Sequence, residues 1–374
     1  MGGSLDERSS CSSSKRRRRN NDRAHNDHAE RLPRKQHLYL AVDDWEGGYS
    51  IHKLDADDIL EDTQGGGGEH KLLEHAAIRI KTPMCGRMEF TAVGTNILVD
   101  TNPHNRGDHA PPAVIYDTET AALTVGPRFP RGIDPLATSI AVGKTIYVLT
   151  TADLPHLPCL QALSWRRVAA DNIWDPYMDW SWNKVQSQPP FNGVDIVGYA
   201  LHPDGRTIFM STRKQGTHSL DTSNGVWTGL GDDWVLPFKG QAFFDAELNA
   251  WVGTDRKGAG YVCCCQVASR SATTKWPLEC RVLKEKLFRR NNEEHYMEGG
   301  RHKDVTLTYM GDSRFCLVEN IVSSKEAIDT VLHVTLFGLM YDHMGELQTK
   351  GRRGTRSYAV SKNTRHFSHA TFWM

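Results

Sequence analysis

The chain has 374 residues, a formal net charge of zero and a hydrophobic fraction of 39%, which is enough for a sizeable core. Its mean hydropathy is −0.51, and no apolar run approaches the roughly 18 residues that a membrane-spanning helix needs. The polar start argues against a secretory signal, so we expect an intracellular protein of the nucleus, the cytoplasm or both.

Residues 1–36 differ in composition from the rest of the chain. They hold ten Lys or Arg against five Asp or Glu, a net charge of +5, and almost no apolar side chains. Such a segment cannot offset the entropy cost of folding, so we predict a disordered tail. It contains a candidate nuclear-import run of five basic residues: Lys15, Arg16, Arg17, Arg18 and Arg19. A solvated tail without a further role is one alternative. A nuclear protein that contacts nucleic acid through this tail is another, although we do not expect nucleic acid to be its main partner.

From His37 onward, short alternating runs rich in Val, Ile, Tyr, Phe and Thr indicate β-strands. One unit recurs: two strands joined by a tight polar turn, a loop, and a third strand that ends in another polar turn. The turns between the first two strands are Gly94–Asn96, Gly143–Thr145, Pro203–Arg206, Asp245–Asn249 and Gly311–Ser313. A repeat of about 40 to 50 residues with four strands is the signature of propeller blades. We predict an all-β fold, a single β-propeller of residues 37–374 with six blades, seven being the alternative.

The first repeat starts at His37–Val42 and lacks an innermost strand, whereas the chain ends in the apolar segment His369–Met374. We predict that this last segment supplies the missing strand. Closure of the ring in this way would remove exposed sheet edges, which otherwise favour aggregation.

Two segments of the first repeat carry a resemblance to a known family: His37 to Trp45, and Gly48 to Leu54. They resemble the opening of domain of unknown function 1668, a large family of uncharacterised plant proteins expanded in grasses. The resemblance covers roughly residues 37–374 and implies a kelch-like or galactose-oxidase-like propeller, but no activity. The double glycine of kelch repeats is absent, since Val99-Asp100-Thr101 and Met210-Ser211-Thr212 stand in its place.

Catalytic motifs are missing from the sequence. Gly-x-Ser-x-Gly, His-Glu-x-x-His and the phosphate-binding Gly-x-x-x-x-Gly-Lys-Ser/Thr loop do not occur, so we predict no catalytic residue and no cofactor. His104, Asp108 and His109 share a loop, but two histidines on one loop rarely bind a metal ion. An enzyme of oxidase or hydrolase type, with its site at the mouth of the central channel, is the alternative.

Eight cysteines are present, and they form no Cys-x-x-Cys pair. Adjacent strand residues point to opposite faces, so Cys263, Cys264 and Cys265 cannot all converge on one zinc ion. We interpret the cysteines as small buried apolar residues in a reducing compartment.

One surface element is rich in residue types that dominate protein interfaces. This candidate partner-binding loop contains Trp174, Asp175, Tyr177, Met178, Asp179 and Trp180. The alternative is that Trp174 and Trp180 fold back over their blade. We expect Trp182, Trp227 and Trp276, which recur near the start of fourth strands, to pack between blades. The hypothesis is a monomeric, non-catalytic propeller scaffold that binds protein partners whose identity the sequence does not show.

Overall fold

A computed structural model of the chain describes residues 35–61, 71–73, 75–81, 88–101, 109–130, 138–149, 160–168, 177–231, 234–258, 260–270, 278–287, 305–322, 330–360 and 368–374. Within them, strands dominate, and Gln36–Met374 forms one compact unit. The basic run of residues 15–19 lies outside the described residues, so its role in import stays a prediction.

Most of the described strands are short, and they follow one another closely along the chain. The first twelve are β1 (Leu38–Trp45), β2 (Gly48–Leu54), β3 (Lys71–Leu72), β4 (Ile78–Lys81), β5 (Glu89–Val93), β6 (Asn96–Asp100), β7 (Pro112–Asp117), β8 (Ala122–Arg128), β9 (Thr138–Val142), β10 (Thr145–Leu149), β11 (Leu160–Val168) and β12 (Tyr177–Lys184). The others are β13 (Ile196–Leu201), β14 (Thr207–Thr212), β15 (Thr217–Asp221), β16 (Val226–Gly229), β17 (Gly240–Asp245), β18 (Ala250–Thr254), β19 (Val262–Gln266), β20 (Cys280–Val282), β21 (Val305–Gly311), β22 (Arg314–Val322), β23 (Thr330–Tyr341), β24 (Leu347–Val360) and β25 (His369–Trp373).

Hydrogen bonding divides the described strands into antiparallel groups of four. The first group has the order β25-β1-β2-β4, and the next five are β5 to β8, β9 to β12, β13 to β16, β17 to β20 and β21 to β24. Parallel pairing of β13 with β17 joins the fourth and fifth groups, and β3 pairs in parallel with β24. The groups are blades of a β-propeller, so the predicted fold class is confirmed. A closed ring of six blades stays a prediction.

The predicted tight turns between first and second strands are present. Gly94 and Gly143 adopt a φ of 58° between β5 and β6 and between β9 and β10. A positive φ suits the sharp reversal of a short hairpin, and glycine adopts it without the steric cost of a Cβ atom.

The turn between β13 and β14 depends on one carboxylate. The backbone amides of Arg206 and Thr207 and the Thr207 hydroxyl all donate hydrogen bonds to Asp204. Burial raises the pKa of Asp204, but these hydrogen bonds outweigh it and lower the pKa to about 2. The negative charge of Asp204 therefore stabilises the folded chain.

A pH titration of stability tests this role. Because the folded pKa lies below the unfolded one, the stabilisation is complete above pH 4 and is lost as the pH falls toward 2. We expect Asp204→Asn to lower the free energy of unfolding by about 2 kcal/mol at pH 7. The difference from the parent chain, measured by denaturant unfolding, should shrink steadily between pH 4 and pH 2.5. A difference that stays constant over this range would contradict the role.

The hydrophobic core lies between neighbouring groups, not within one sheet. Between the second and third groups, for example, Leu98 of β6 packs with Ile146 of β10 and Leu163 of β11. Five such clusters join successive groups, and a sixth joins the first group to the last through β1 and β22 to β24. Each cluster buries the faces of two groups against each other, because a single twisted four-stranded sheet has no core of its own.

Trp182 and Trp227 pack between groups, as predicted. Trp182 lies 5.0 Å from the ring of Phe129 beside the cluster of the second and third groups. Trp227 meets Phe191 edge-on at 5.3 Å beside the cluster of the third and fourth groups. Trp276 lies outside the described residues.

The last strand pairs with the first, as the sequence predicts. In β25 and β1, Leu38 faces Trp373 and Val42 faces His369 in antiparallel register. Two further backbone hydrogen bonds link His37 and Met374 in both directions. The two ends of the propeller unit are therefore held in one sheet.

Among the described residues, one α-helix interrupts the strand pattern, which the sequence predicts to be β throughout. Helix α1 (Ala56–Glu61) begins where the amide of Asp57 donates to the side chain of Asp55, and two aspartates in its first turn favour its N-terminus. Its Ile59 is fully buried against β22 to β24. Six residues are too few to show a helical period, so packing decides this element.

Candidate functional site

The hairpin of β11 and β12 presents the candidate site. In its register, Trp165 faces Trp180 and Arg167 faces Met178, and the two tryptophan rings meet edge-on at 5.8 Å. Residues two apart on a strand share a face, so Leu163, Trp165 and Arg167 lie in one row. This row begins in the core, where Leu163 is fully buried, and runs out to solvent.

Exposure increases sharply along this row. Trp180 is 9% exposed, whereas Trp165 is 46% and Met178 is 48% exposed. On the opposite face of the hairpin, Tyr177 is 53% exposed. Large apolar side chains that leave the core as a contiguous group, and not singly, mark an interaction surface. We call Trp165, Arg167 and Met178 on one face, together with Arg166 and Tyr177 on the other, the hairpin surface.

Two arginines add positive charge to the hairpin surface. Arg166 and Arg167 are both exposed, and Arg166 donates a hydrogen bond to the Ser181 hydroxyl. Within the described part of the chain, neither arginine forms an ion pair with a carboxylate.

The predicted partner-binding loop is partly a strand, which corrects the sequence interpretation. Tyr177, Met178, Asp179 and Trp180 form the first half of β12, because their pairing with β11 places Trp180 over the core. Trp174 and Asp175 lie outside the described residues.

The sequence-based candidate loop does not include the exposed side chains of β11. Trp165 follows Leu163 by two residues, which is the spacing of side chains on one face of a strand. This spacing is the signal in the sequence that places Trp165 on the hairpin. The burial of Trp180 agrees with the alternative that this tryptophan covers its blade.

The central strands carry a different set of side chains. The strands at one end of the groups are β5, β9, β13, β17, β21 and β25, which we call the central strands. Among them, β5 contacts β9, β13 contacts β17, and β21 contacts both β17 and β25. The Thr91 and Ser139 hydroxyls lie 2.7 Å apart between β5 and β9, and those of Thr308 and Thr371 lie 2.5 Å apart between β21 and β25. In the described residues, neutral hydroxyl pairs thus bridge β5 with β9 and β21 with β25.

Titratable side chains on the central strands include Glu89 and Tyr199. Burial and the nearby charge of Glu89 raise the pKa of Tyr199 to about 12, so its phenol stays protonated at neutral pH. A small cavity lies where β5 and β25 begin, lined by Tyr49, Glu89, Ser368 and His369 among others. These groups could hold a water molecule by hydrogen bonding.

Among the described residues, no group of three or more His, Cys, Asp or Glu is placed to hold a metal ion. His104 and Asp108 of the histidine loop lie outside them. In the part of the chain that the structure describes, no helix is long and apolar enough to cross a membrane.

The burial of the cysteines is confirmed for Cys263, Cys264, Cys265 and Cys316, all nearly or fully buried. It is wrong for Cys280, which is exposed because β20 is the outermost strand of its group. Burial raises the pKa of the Cys263 and Cys316 thiols, so both stay protonated.

A family model for proteins of unknown function, DUF1668, matches residues 35–358. The chain belongs to this family. The match confirms the family resemblance of the sequence and spans most of the propeller of this DUF1668 protein. No curated protein matches the sequence.

Solved structures similar to this DUF1668 protein include three with low sequence identity. Kluyveromyces lactis Hsv2p has 8% identity and a TM-score of 0.38, with 84% of this chain and 94% of that chain covered. YjhT has 11% identity and a TM-score of 0.37, with 77% and 98% covered. The β-propeller domain of Cps50 (Swd1) from Myceliophteria thermophila has 9% identity and a TM-score of 0.34, with 82% and 79% covered.

Proposed function

We propose that this DUF1668 protein is a non-catalytic propeller scaffold that binds a protein partner through the hairpin surface. The observation that carries the proposal is the row of side chains that leaves the core at Trp180 and continues as exposed Trp165 and Met178. Trp, Tyr, Met and Arg are the residue types enriched at interfaces, and the hairpin surface consists of them alone.

The chemistry of the hairpin surface selects the kind of partner. Trp165 and Met178 offer an apolar platform with the positive charge of Arg167 on the same face, and Arg166 adds a second positive charge on the opposite face, beside Tyr177. A partner segment with an apolar anchor next to acidic residues would complement both features. Its association should weaken as salt screens the arginines, whereas the apolar contact should not depend on salt.

Removal of the exposed apolar side chains tests the scaffold. We expect the triple variant Trp165→Ala, Tyr177→Ala, Met178→Ala to lose at least about 100-fold in affinity for a bound partner. Partners captured from cell extract by the parent chain would be identified by mass spectrometry, and their affinity then measured by calorimetry with the purified proteins. Stability should fall by only about 1–2 kcal/mol, because the three side chains are largely exposed.

Val226→Ala supplies a matched control. Val226 is an exposed apolar residue, 53% accessible, on β16, the outermost strand of the next group. This variant should retain all partners. Retention of the same partners by the triple variant would place binding elsewhere and refute the hairpin surface.

The remaining assignments are also proposals. We propose a kelch-like or galactose-oxidase-like propeller of a plant protein, acting in the nucleus or the cytoplasm, with residues 1–36 as a separate tail whose basic run directs import. They rest on the resemblance of the first repeat and on the run Lys15 to Arg19. Capture of partners from cell extract, with residues 37–374 in parallel with the full chain, separates the contributions of the two regions. Import receptors should bind the full chain and should not bind residues 37–374.

A further inference from the structure

Two cysteines stand opposite each other on neighbouring strands of the fifth group. Cys265 of β19 pairs in register with Cys280 of β20, and their sulfur atoms lie 3.1 Å apart. Both are free thiols. Cys265 is fully buried, whereas Cys280 is open to solvent on the outermost strand.

The backbone hydrogen bonds define the type of this pair. The amide of Gln266 donates to the carbonyl of Glu279, and the amide of Leu283 donates to the carbonyl of Val262. Hydrogen-bonded and non-hydrogen-bonded pairs alternate along an antiparallel ladder, so Cys265 and Cys280 form a non-hydrogen-bonded pair.

A pair of this type brings the backbones of the two strands as close as an antiparallel sheet allows. The Cα atoms of such a pair are typically about 4.5 Å apart, which lies within the range that a disulfide spans. The other cysteine on the same face, Cys263, is opposite Val282 and is only a diagonal neighbour of Cys280. Diagonal Cα atoms are about 7–8 Å apart, at or beyond that range.

The surroundings favour reaction at Cys280. The hydrogen bond with Cys265 lowers the pKa of Cys280, whereas burial raises it. The charge of Lys257 lowers this pKa as well, and the charges of Asp255 and Glu279 raise it, but the net shift is downward. The thiolate is the reactive form of cysteine, and Cys280 is the member of the pair that solvent reaches.

We propose that Cys265 and Cys280 are a reversible redox pair that peroxide oxidises to a cross-strand disulfide. The Cys280 thiolate attacks one peroxide oxygen, the O–O bond breaks, and after protonation one water leaves and a sulfenic acid forms on Cys280. The Cys265 sulfur then attacks the Cys280 sulfur, the S–O bond breaks, the thiol proton passes to the departing hydroxide, and a second water leaves. Two thiols and one hydrogen peroxide thus yield one disulfide and two waters. A small-molecule thiol reverses the reaction by exchange.

Cys264 offers the matched control within the same strand. Its side chain points to the other face, where its sulfur lies 3.3 Å from the Tyr341 hydroxyl. It is next to Cys265 in sequence, similarly buried, and has no cysteine opposite, since it pairs with Arg281.

Peptide mapping of the folded full chain tests the pair. The reduced protein is treated with hydrogen peroxide, remaining thiols are blocked with N-ethylmaleimide, and the chain is digested with trypsin without reduction. We expect a disulfide between peptides 258–270 and 276–281 in the parent chain and in Cys264→Ser, with fragment ions that assign Cys265 and Cys280. Cys280→Ser, a substitution at an exposed site, should lack the link, and dithiothreitol should remove it from the parent chain.

Thermal unfolding supplies an independent readout. Cross-linking a loop of this length should raise the melting temperature of the oxidised parent chain by about 5 °C, with no rise in Cys280→Ser. Three results would overturn the proposal: Cys280 recovered as sulfinic acid with Cys265 still open to blocking, a link from Cys280 to another cysteine, or a link between two chains.

Discussion

Deletion of residues 369–374 is expected to remove most of the stability of the propeller. β25 contributes a whole strand to the first group, with five residues in register with β1. Its Thr371 hydroxyl bonds to Thr308 of β21, and Phe372 and Trp373 pack against two different core clusters. We estimate a loss on the order of 5 kcal/mol, comparable to the entire stability of many domains.

The measurement is denaturant unfolding of the truncated chain, or the soluble fraction after expression where it does not fold. Trp373→Phe is the matched control, since it keeps the strand and most of the apolar side chain and removes the hydrogen bond to Gln36. We expect this control to cost about 1 kcal/mol. A truncated chain as soluble and as stable as the parent would show that pairing of the two ends contributes nothing.

Truncation of Trp251 to alanine should produce the second large effect. Trp251 of β18 is fully buried between the fourth and fifth groups, and its ring centroid lies 5.1 Å from that of Phe209. Its indole nitrogen donates to the carbonyl of Leu201, 2.8 Å away. Loss of the side chain leaves a large cavity and an unpaired carbonyl, so we expect a cost of about 3–5 kcal/mol.

Trp251→Phe separates the two contributions. It retains most of the apolar volume and removes the hydrogen bond, so its cost should be about 1–2 kcal/mol by equilibrium unfolding. If the alanine variant unfolds at the same denaturant midpoint as the parent chain, this result would contradict the view that packing between groups, and not within each sheet, stabilises the fold.

Features that depend on a few neighbouring residues could be predicted from the sequence. The turns at Gly94 and Gly143 follow from a glycine between two apolar runs, because only a positive φ reverses the chain so sharply there. The pairing of the last strand was predictable too, since the first repeat was short by one strand and the chain ended in an apolar one.

Helix α1 and the first half of β12 could not be predicted in this way. Ile59 is the one buried residue of α1, so no periodicity shows the helix before β24 is in place beneath it. The sequence predicts a loop at Tyr177 to Trp180 because the acidic Asp179 interrupts the apolar residues and no clear apolar period remains. Their pairing with β11 becomes evident once Trp180 is seen over the core.

The positions of strands and the repeat length are local properties, because alternating apolar residues and turn residues encode them. They were sufficient to predict the all-β propeller fold. Exposure is not local, because it depends on which strand lies at the outside of a group and what the neighbouring group covers. Trp165 and Trp180 are equally apolar, yet one is half exposed and the other buried. Cys265 and Cys280, 15 positions apart, meet only because β19 and β20 pair in one register. Both the hairpin surface and the thiol pair therefore arise from the packing of distant strands.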